Sequence, residues 1–224
     1  MPITEAEPIL KAQNPREQPI NFGEGDTGSY PGSRLRGHKF PFLAILDTSR
    51  AFGGTRQKIT ATAFGPPHEG RVSGISRLVY PAEPILWENM RAALIEKYGP
   101  PLWESGLDLR NRTASYTLSW STAPDGTPLR DRIQVLGCMG DLGEKVLYTH
   151  ERNMTYVKHC GSVLSFTMQS SPQRTDYINS YTGILYNLPL LLARNKELVR
   201  FSEAEAVKIE AERKRAAQDR KPSL

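Results

Sequence analysis

Two segments of the chain carry apolar residues at helical spacing, three or four positions apart, so that the apolar side chains lie on one face of a helix. Residues 1–12 predict a short amphipathic helix, and residues 84–98 predict the clearest one, ended by Gly99 and two prolines. A third helix is expected from Asn187, a capping residue, to about residue 217. Its second half is mostly Glu, Lys, Arg and Ala, so we expect that half to face solvent or a partner.

Alternating apolar and polar residues, or short apolar runs bounded by turn residues, predict strands between the helices. The expected strands span residues 40–46, 59–64, 71–80, 113–121, 132–138, 144–148, 155–168 and 177–186. In the strand expected at residues 71–80, the apolar residues Val72 and Ile75 are three positions apart, which interrupts the alternation and predicts a bulge at Gly74. Residues 13–38 are rich in Asn, Pro, Gly and Ser, so we expect an irregular loop there.

The order of these elements predicts the α+β class. Consecutive strands joined by short turns favour an antiparallel sheet, with helices packed on one face of it and a long C-terminal helix. We expect one α+β domain over residues 1–200, which includes the irregular loop, and a charged helical tail over residues 201–224.

Composition and charge argue against several classes of protein. The chain has 224 residues, 38% hydrophobic and 24% charged, which is typical of a folded protein. The net charge of +5 is spread out, without the dense basic cluster interleaved with aromatic residues that nucleic-acid binding needs. No apolar run reaches the roughly 18 residues that a membrane span requires. Residues 1–10 lack the apolar stretch of a signal peptide, so we expect either a cytoplasmic protein or a chain that begins after a removed segment.

Two neighbouring segments carry a recognisable pattern. Residues 71–77 read Arg-Val-Ser-Gly-Ile-Ser-Arg, and residues 84–101 form a helix-like segment ending Leu-Ile-Glu-Lys-Tyr-Gly-Pro-Pro. A Val-x-x-Ile-x-Arg strand followed by a Leu-x-x-Lys-Tyr-Gly-x-Pro helix resembles uncharacterised bacterial envelope proteins, and Trp120, Cys138 and Cys160 fit the same pattern. The resemblance implies an α+β fold and export to the periplasm or the exterior, and no known activity. It also implies that the family's first strand and signal peptide are missing from this chain.

Cys138 and Cys160 are the two cysteines of the sequence. The export implied by the resemblance favours a disulfide between them, because disulfides persist in oxidising compartments. Such a bond would close a loop of about 20 residues and stabilise the fold by about 3 kcal/mol. The alternative is a pair of buried thiols in a reducing cytosol.

The same cysteines, with His150 and His159, raise the question of zinc. Their spacing matches no compact zinc finger or ribbon. Neighbouring His159 and Cys160 are expected to point to opposite faces of a strand. We therefore expect no metal site, and no other cofactor.

Residues 23–28 match the G-x-G-x-x-G pattern of dinucleotide-binding proteins. The context differs, because no strand is expected before them and no helix after them. Glu24 and Asp26 would also repel a phosphate. A flexible turn is the expected structure.

An apolar run ends in Asp47, Thr48 and Ser49, which resembles the active-site loop of aspartic peptidases. In those enzymes two such loops bring two carboxylates together, so a single copy would require a homodimer. Arg50 departs from the small residue expected there, and the predicted helices do not suit an all-β peptidase fold. The alternative is a strand end at which Asp47 or Thr48 caps a turn.

Three functions follow from these observations. The first is a non-enzymatic binding or structural module of the bacterial envelope, and its expected partner is another protein that contacts residues 203–224 or 13–38. The second is an aspartic-type peptidase that uses the Asp47 loop. The third is a cytosolic inhibitor or immunity-type protein with both thiols reduced. The residues do not indicate an oligomeric state.

Overall fold

The computed structural model describes residues 2–12, 21–25, 42–65, 67–68, 71–105, 115–130, 138, 159–171 and 174–218. Over these residues the chain has the predicted α+β architecture. The helices are α1 (Ile3–Ala12), α2 (Trp87–Tyr98) and α3 (Leu188–Gln218). The strands are β1 (Asn21–Gly25), β2 (Phe42–Phe52), β3 (Thr55–Ala63), β4 (Val72–Tyr80), β5 (Ile85–Leu86), β6 (Trp103–Ser105), β7 (Ser115–Ser121), β8 (Ser162–Ser171) and β9 (Arg174–Asn187).

The described strands form one antiparallel sheet. Its order is β1-β2-β3-β4-β9-β8-β7-β6, and the short β5 also pairs with β9. The first four strands follow each other along the chain, and β9 returns from the far half of the sequence to pair with β4. Strands β4 and β9 therefore lie at the centre of the sheet and join its two halves.

Glycine residues shape the connection between β2 and β3 and the start of β4. Gly53 and Gly54 form the two-residue turn between β2 and β3, and both have positive φ, of 54° and 81°. Such a turn matches the twist of the strands and favours glycine. In β4 the register shifts between Gly74 and Val72, which confirms the predicted bulge.

Helices α1 and α2 pack on the same face of the sheet. Under α1, Ala6 and Leu10 contact Ala61 and Ala63 of β3. Under α2, Leu94 joins a buried cluster from the other half of the sheet, which consists of Tyr116, Leu118, Met168 and Ile178. Residues paired directly across antiparallel strands share a face. Ala61 pairs with Ile75, which pairs with Leu185, and Leu185 pairs with Leu164, which pairs with Trp120. These residues therefore share one face of the sheet, and this is the face on which both α1 and α2 lie.

Helix α3 begins as the sequence predicts. The Asn187 side-chain oxygen accepts a hydrogen bond from the Leu190 backbone N–H at 2.9 Å, which caps the helix. Leu188, Leu198 and Ser202 are buried, whereas most side chains after Ser202 are exposed. The expectation of a solvent-facing second half is therefore confirmed.

The structure corrects several predicted boundaries. Strand β1 lies inside the segment 13–38 predicted to be irregular, because pairing with β2 gives order to residues that lack a local pattern. Strand β2 continues past residue 46 to the turn at Gly53. Residues 85–86 pair with β9 instead of starting α2. Cys138 is helical, not part of a strand. The strand predicted at 144–148 lies outside the described residues.

Candidate binding groove

A groove with a volume of about 310 Å³ lies beside α2 on the helix-covered face of the sheet. Side chains of α2, including Met90 and Leu94, form its wall. Strands β4, β9 and β8 form its floor, to which β8 contributes Leu164 and Phe166. The groove therefore lies over the centre of the sheet.

Two apolar side chains on the groove floor remain open to solvent. Ile75 of β4 and Leu185 of β9 are direct partners across the central strand pair, with 40% and 47% of their surface exposed. An antiparallel sheet usually buries the apolar side chains of its core-facing side. Neither α1 nor α2 covers Ile75 and Leu185 completely, so an apolar patch is left between the two helices.

Gly183 shapes the floor of the groove. A Cβ atom at this position would lie 2.7 Å from Cε1 of Phe166, so the aromatic ring lies against the glycine backbone. Phe166 and Gly183 are also direct partners across β8 and β9. Any larger residue at position 183 would displace the ring. The glycine thus lets Phe166 lie flat along the floor.

Aromatic contacts hold the end of α2 in place. The ring of Tyr98 lies 5.6 Å from that of Trp120 and 5.7 Å from that of Phe166, between centroids. The indole N–H of Trp120 donates a hydrogen bond of 3.0 Å to the Gly99 carbonyl. Gly99 itself has φ of 79° and ends the helix, as the Gly-Pro-Pro sequence predicts. The wall and floor of the groove are thereby connected.

The charged residues among those that line the groove are both cations, Arg77 and Lys97. The Arg77 guanidinium donates to the side-chain oxygen of Gln57 at 2.7 and 3.2 Å, which holds it without neutralising its charge. Lys97 Nζ lies 5.2 Å from the centroid of the Tyr98 ring. The groove is therefore apolar along its floor and positive at its border.

The cysteines lie in a separate buried cluster with Leu129, Val163 and Leu188. Cys138 and Cys160 form a disulfide in the structure, with their Cα atoms 5.7 Å apart and both residues fully buried. Tyr186 packs against this cluster, and burial raises the pKa of its hydroxyl to about 12.

His159 and the two cysteines of this disulfide together have the spacing of a metal-ligand set. One nitrogen of His159 and the sulfur atoms of Cys138 and Cys160 lie within 4.8 Å of one another. The expectation that His159 and Cys160 point to opposite faces of a strand is wrong, because both precede β8, which begins at Ser162. Metals bind thiolates, so this set could hold a metal ion only when both cysteines are reduced.

The peptidase-like triplet does not lie in a loop. Asp47, Thr48 and Ser49 are inside β2, where Asp47 pairs with Asn21 on one side and Thr60 on the other. The alternative of a strand end that caps a turn is wrong for the same reason. In the G-x-G-x-x-G segment, residues 23–25 belong to β1, and residues 26–28 lie outside the described part of the chain.

A polar cluster ties α3 to the turn between β3 and β4. The Glu197 carboxylate accepts a hydrogen bond from Arg194 Nη1 at 2.7 Å and lies 2.5 Å from His68 Nε2. The hydrogen bond from Arg194, with the nearby positive charge, holds the pKa of Glu197 below its ordinary value. This cluster anchors the helix and lies away from the groove residues.

Sequence reasoning did not single out the groove. Its floor comes from strands that are distant in sequence. The local features of the sequence at the groove are the interrupted alternation between Val72 and Ile75 and the glycine at position 183 inside an apolar strand. Both patterns also occur in strands without a binding role.

Comparisons with known proteins identify no relative. The chain matches no protein-family model, no curated protein and no solved structure. Among the described residues, none of the helices has an apolar stretch that could reach from one side of a membrane to the other.

Proposed function

We propose that this protein is a non-enzymatic binding module of the bacterial envelope, and that it binds the apolar part of a small ligand in the groove beside α2. One observation carries the proposal: Ile75 and Leu185, paired at the centre of the sheet, are 40% and 47% exposed. Ligand and partner sites expose neighbouring apolar side chains of this kind.

Burial of this patch would supply binding free energy. Removing apolar surface from water stabilises a complex by about 25 cal/mol per Å². The volume of about 310 Å³ is at the lower end of the range for small-molecule pockets. The contacts of Phe166 with Gly183 and of Tyr98 with Trp120 keep the floor and wall in place before a ligand arrives. Little ordering cost therefore opposes binding.

The envelope location is supported by the cysteines. A disulfide between Cys138 and Cys160 suits an oxidising compartment, whereas a cytosolic protein would keep both thiols reduced. The resemblance of residues 71–101 to bacterial envelope proteins supports the same location. A cytosolic inhibitor or immunity-type protein is the alternative that reduced thiols would favour.

A protein partner at the second half of α3 is a further part of the proposal. Residues after Ser202 are mostly exposed, and the apolar side chain of Val207 is 67% exposed. Truncation after Ser202 should leave the melting temperature nearly unchanged while weakening partner capture. A large fall in melting temperature would show that this part of α3 belongs to the core. The other expected partner surface, residues 13–38, lies outside the described residues apart from β1.

Titration with Nile red, a neutral apolar dye, tests the groove. We expect saturable fluorescence enhancement at one site, and we expect Leu185→Ser to weaken it about fivefold through lost apolar contact. Leu86→Ser is the matched control, because Leu86 is 40% exposed on β5 and does not line the groove.

Two results would contradict the proposed groove. One is the absence of saturable binding by the unmutated protein. The other is an equal loss of affinity in Leu185→Ser and Leu86→Ser, since the dye would then bind exposed apolar residues without regard to their position. Circular dichroism of each variant checks that the fold is retained.

A further inference from the structure

We infer that the groove selects a ligand with an apolar chain and a single carboxylate, such as a medium-chain fatty acid. This inference rests on the proposed function and adds the chemical class of the ligand. Its basis is the arrangement of charge around the groove: Arg77 and Lys97 line it, and among the described residues that line it none carries a negative charge.

The guanidinium of Arg77 is available to an anion. It is held by two hydrogen bonds to the neutral side chain of Gln57, which accepts both through one oxygen atom. Arginine has five N–H donors in a planar fork that matches the two oxygens of a carboxylate. The contact with Gln57 thus orients the side chain and leaves its positive charge and other donors for a ligand.

Arg77 also lies directly next to the apolar floor. Its partner in β9 is Gly183, and the neighbouring partners on the same face are Ile75 and Leu185. Arg77 lies two positions along β4 from Ile75 and is the next residue on that face, so a ligand chain lying over Ile75 and Leu185 would carry its head group toward Arg77. Because position 183 has no side chain, the Phe166 ring lies against its backbone and continues the apolar floor at the strand position of Arg77.

Lys97 provides the second positive charge from the wall of the groove. It lies in the last turn of α2, with Nζ 5.2 Å from the centroid of the Tyr98 ring. Two cations from two different elements favour one anion and disfavour a cationic head group. The small volume, about 310 Å³, favours a single short chain over a lipid with two chains.

Calorimetric titration with dodecanoate, dodecanol and dodecylammonium, each below its aggregation concentration, tests the inference. The three probes share one chain and differ in charge. We expect dodecanoate to bind about tenfold more tightly than dodecanol, as two exposed ion pairs would allow, and dodecylammonium to bind most weakly. The preference should diminish at high salt, because both cations are open to solvent.

The variant Arg77→Gln/Lys97→Gln should abolish the preference for dodecanoate and leave dodecanol affinity within about twofold, since the apolar floor is intact. Lys196→Gln/Arg200→Gln is the control, because it removes the same charge from exposed positions on α3. That control should retain the preference.

The outcomes separate the two proposals. Equal affinity for dodecanoate and dodecanol, or tighter binding of dodecylammonium, overturns the inference and leaves the apolar groove standing. Equal loss of the preference in both charge variants also overturns it, since net charge would then be the cause. Failure of all three probes to bind overturns the proposed function as well. Tighter binding of an apolar hexapeptide with a free C-terminus than of dodecanoate would assign the groove to a protein partner and overturn the inference.

Discussion

Gly161 lies against Ala123 so closely that a Cβ atom at position 161 would be 2.1 Å from the Ala123 carbonyl oxygen. The Gly161 N–H donates to the Thr122 carbonyl at 2.5 Å, and the Gly161 carbonyl accepts from Leu188 N–H at 3.0 Å. Three segments therefore meet at one glycine: the end of β7, the start of β8 and the start of α3. The buried residue Cys160 comes directly before it.

Gly161→Ala should destabilise the protein by about 1–3 kcal/mol, the usual cost of forcing an extra group into a packed site. The added methyl group would meet backbone atoms that cannot rotate away. Gly74→Ala is the control, because its nearest neighbour would be Thr62 Oγ1 at 3.4 Å. Urea unfolding followed by circular dichroism measures both. Equal stability of the two variants would contradict the close contact.

The Cys138–Cys160 bond should be present in the protein isolated without reductant. Alkylation followed by intact-mass measurement should detect no free thiol, and Cys138→Ala/Cys160→Ala should lose about 3 kcal/mol of stability in the chain-entropy account. Two alkylated cysteines would contradict the bond and favour the cytosolic alternative. In that case the Cys138, His159 and Cys160 set becomes a testable metal site.

Stability should fall at alkaline pH because of Tyr186. Its pKa is raised by burial from 10 to about 12, so the folded state keeps a proton that the unfolded chain releases. The contribution of Tyr186 to the free energy of unfolding is fully present below pH 10 and is lost as the pH rises to 12. The full loss would be roughly 2–3 kcal/mol.

Urea unfolding at several pH values between 9 and 12 measures this effect, with Tyr186→Phe as the comparison. The phenylalanine variant has no hydroxyl to ionise, so its stability should change less with pH. Parallel pH curves for the two proteins would contradict the assignment to Tyr186.

The first turn of α3 should depend on its capping side chain. Asn187→Ala removes the acceptor for the Leu190 N–H and should cost about 1 kcal/mol. Asn187→Asp keeps an oxygen acceptor and should restore most of that stability. Thermal unfolding of the two variants distinguishes capping from a general effect of substitution: an equal loss in both would argue against the cap.

Local chemistry made several elements predictable. Gly99 followed by prolines ends α2, and Asn187 begins α3. Each signal acts between residues close in sequence, where the conformational preference of a residue or one hydrogen bond decides the structure. Alternation similarly identified β3 and β7, although their ends moved by a few residues.

Residues 13–38 illustrate where local reasoning ends. The segment has no apolar period, yet Asn21–Gly25 forms a strand because β2 provides an edge to pair with. Asp47 lies inside a strand for the same reason, held between β1 and β3. Pairing energy from a neighbouring strand can override a local preference for turns.

The sequence by itself therefore determined the α+β class, the helices, most strands and the caps, because these depend on neighbours along the chain. Only the tertiary structure decided the candidate site. Ile75 and Leu185 become partners when β9 pairs with β4, and Arg77 meets Gly183 by the same register. Such contacts join distant segments, and their geometry follows from how the whole sheet is assembled and covered by α1 and α2.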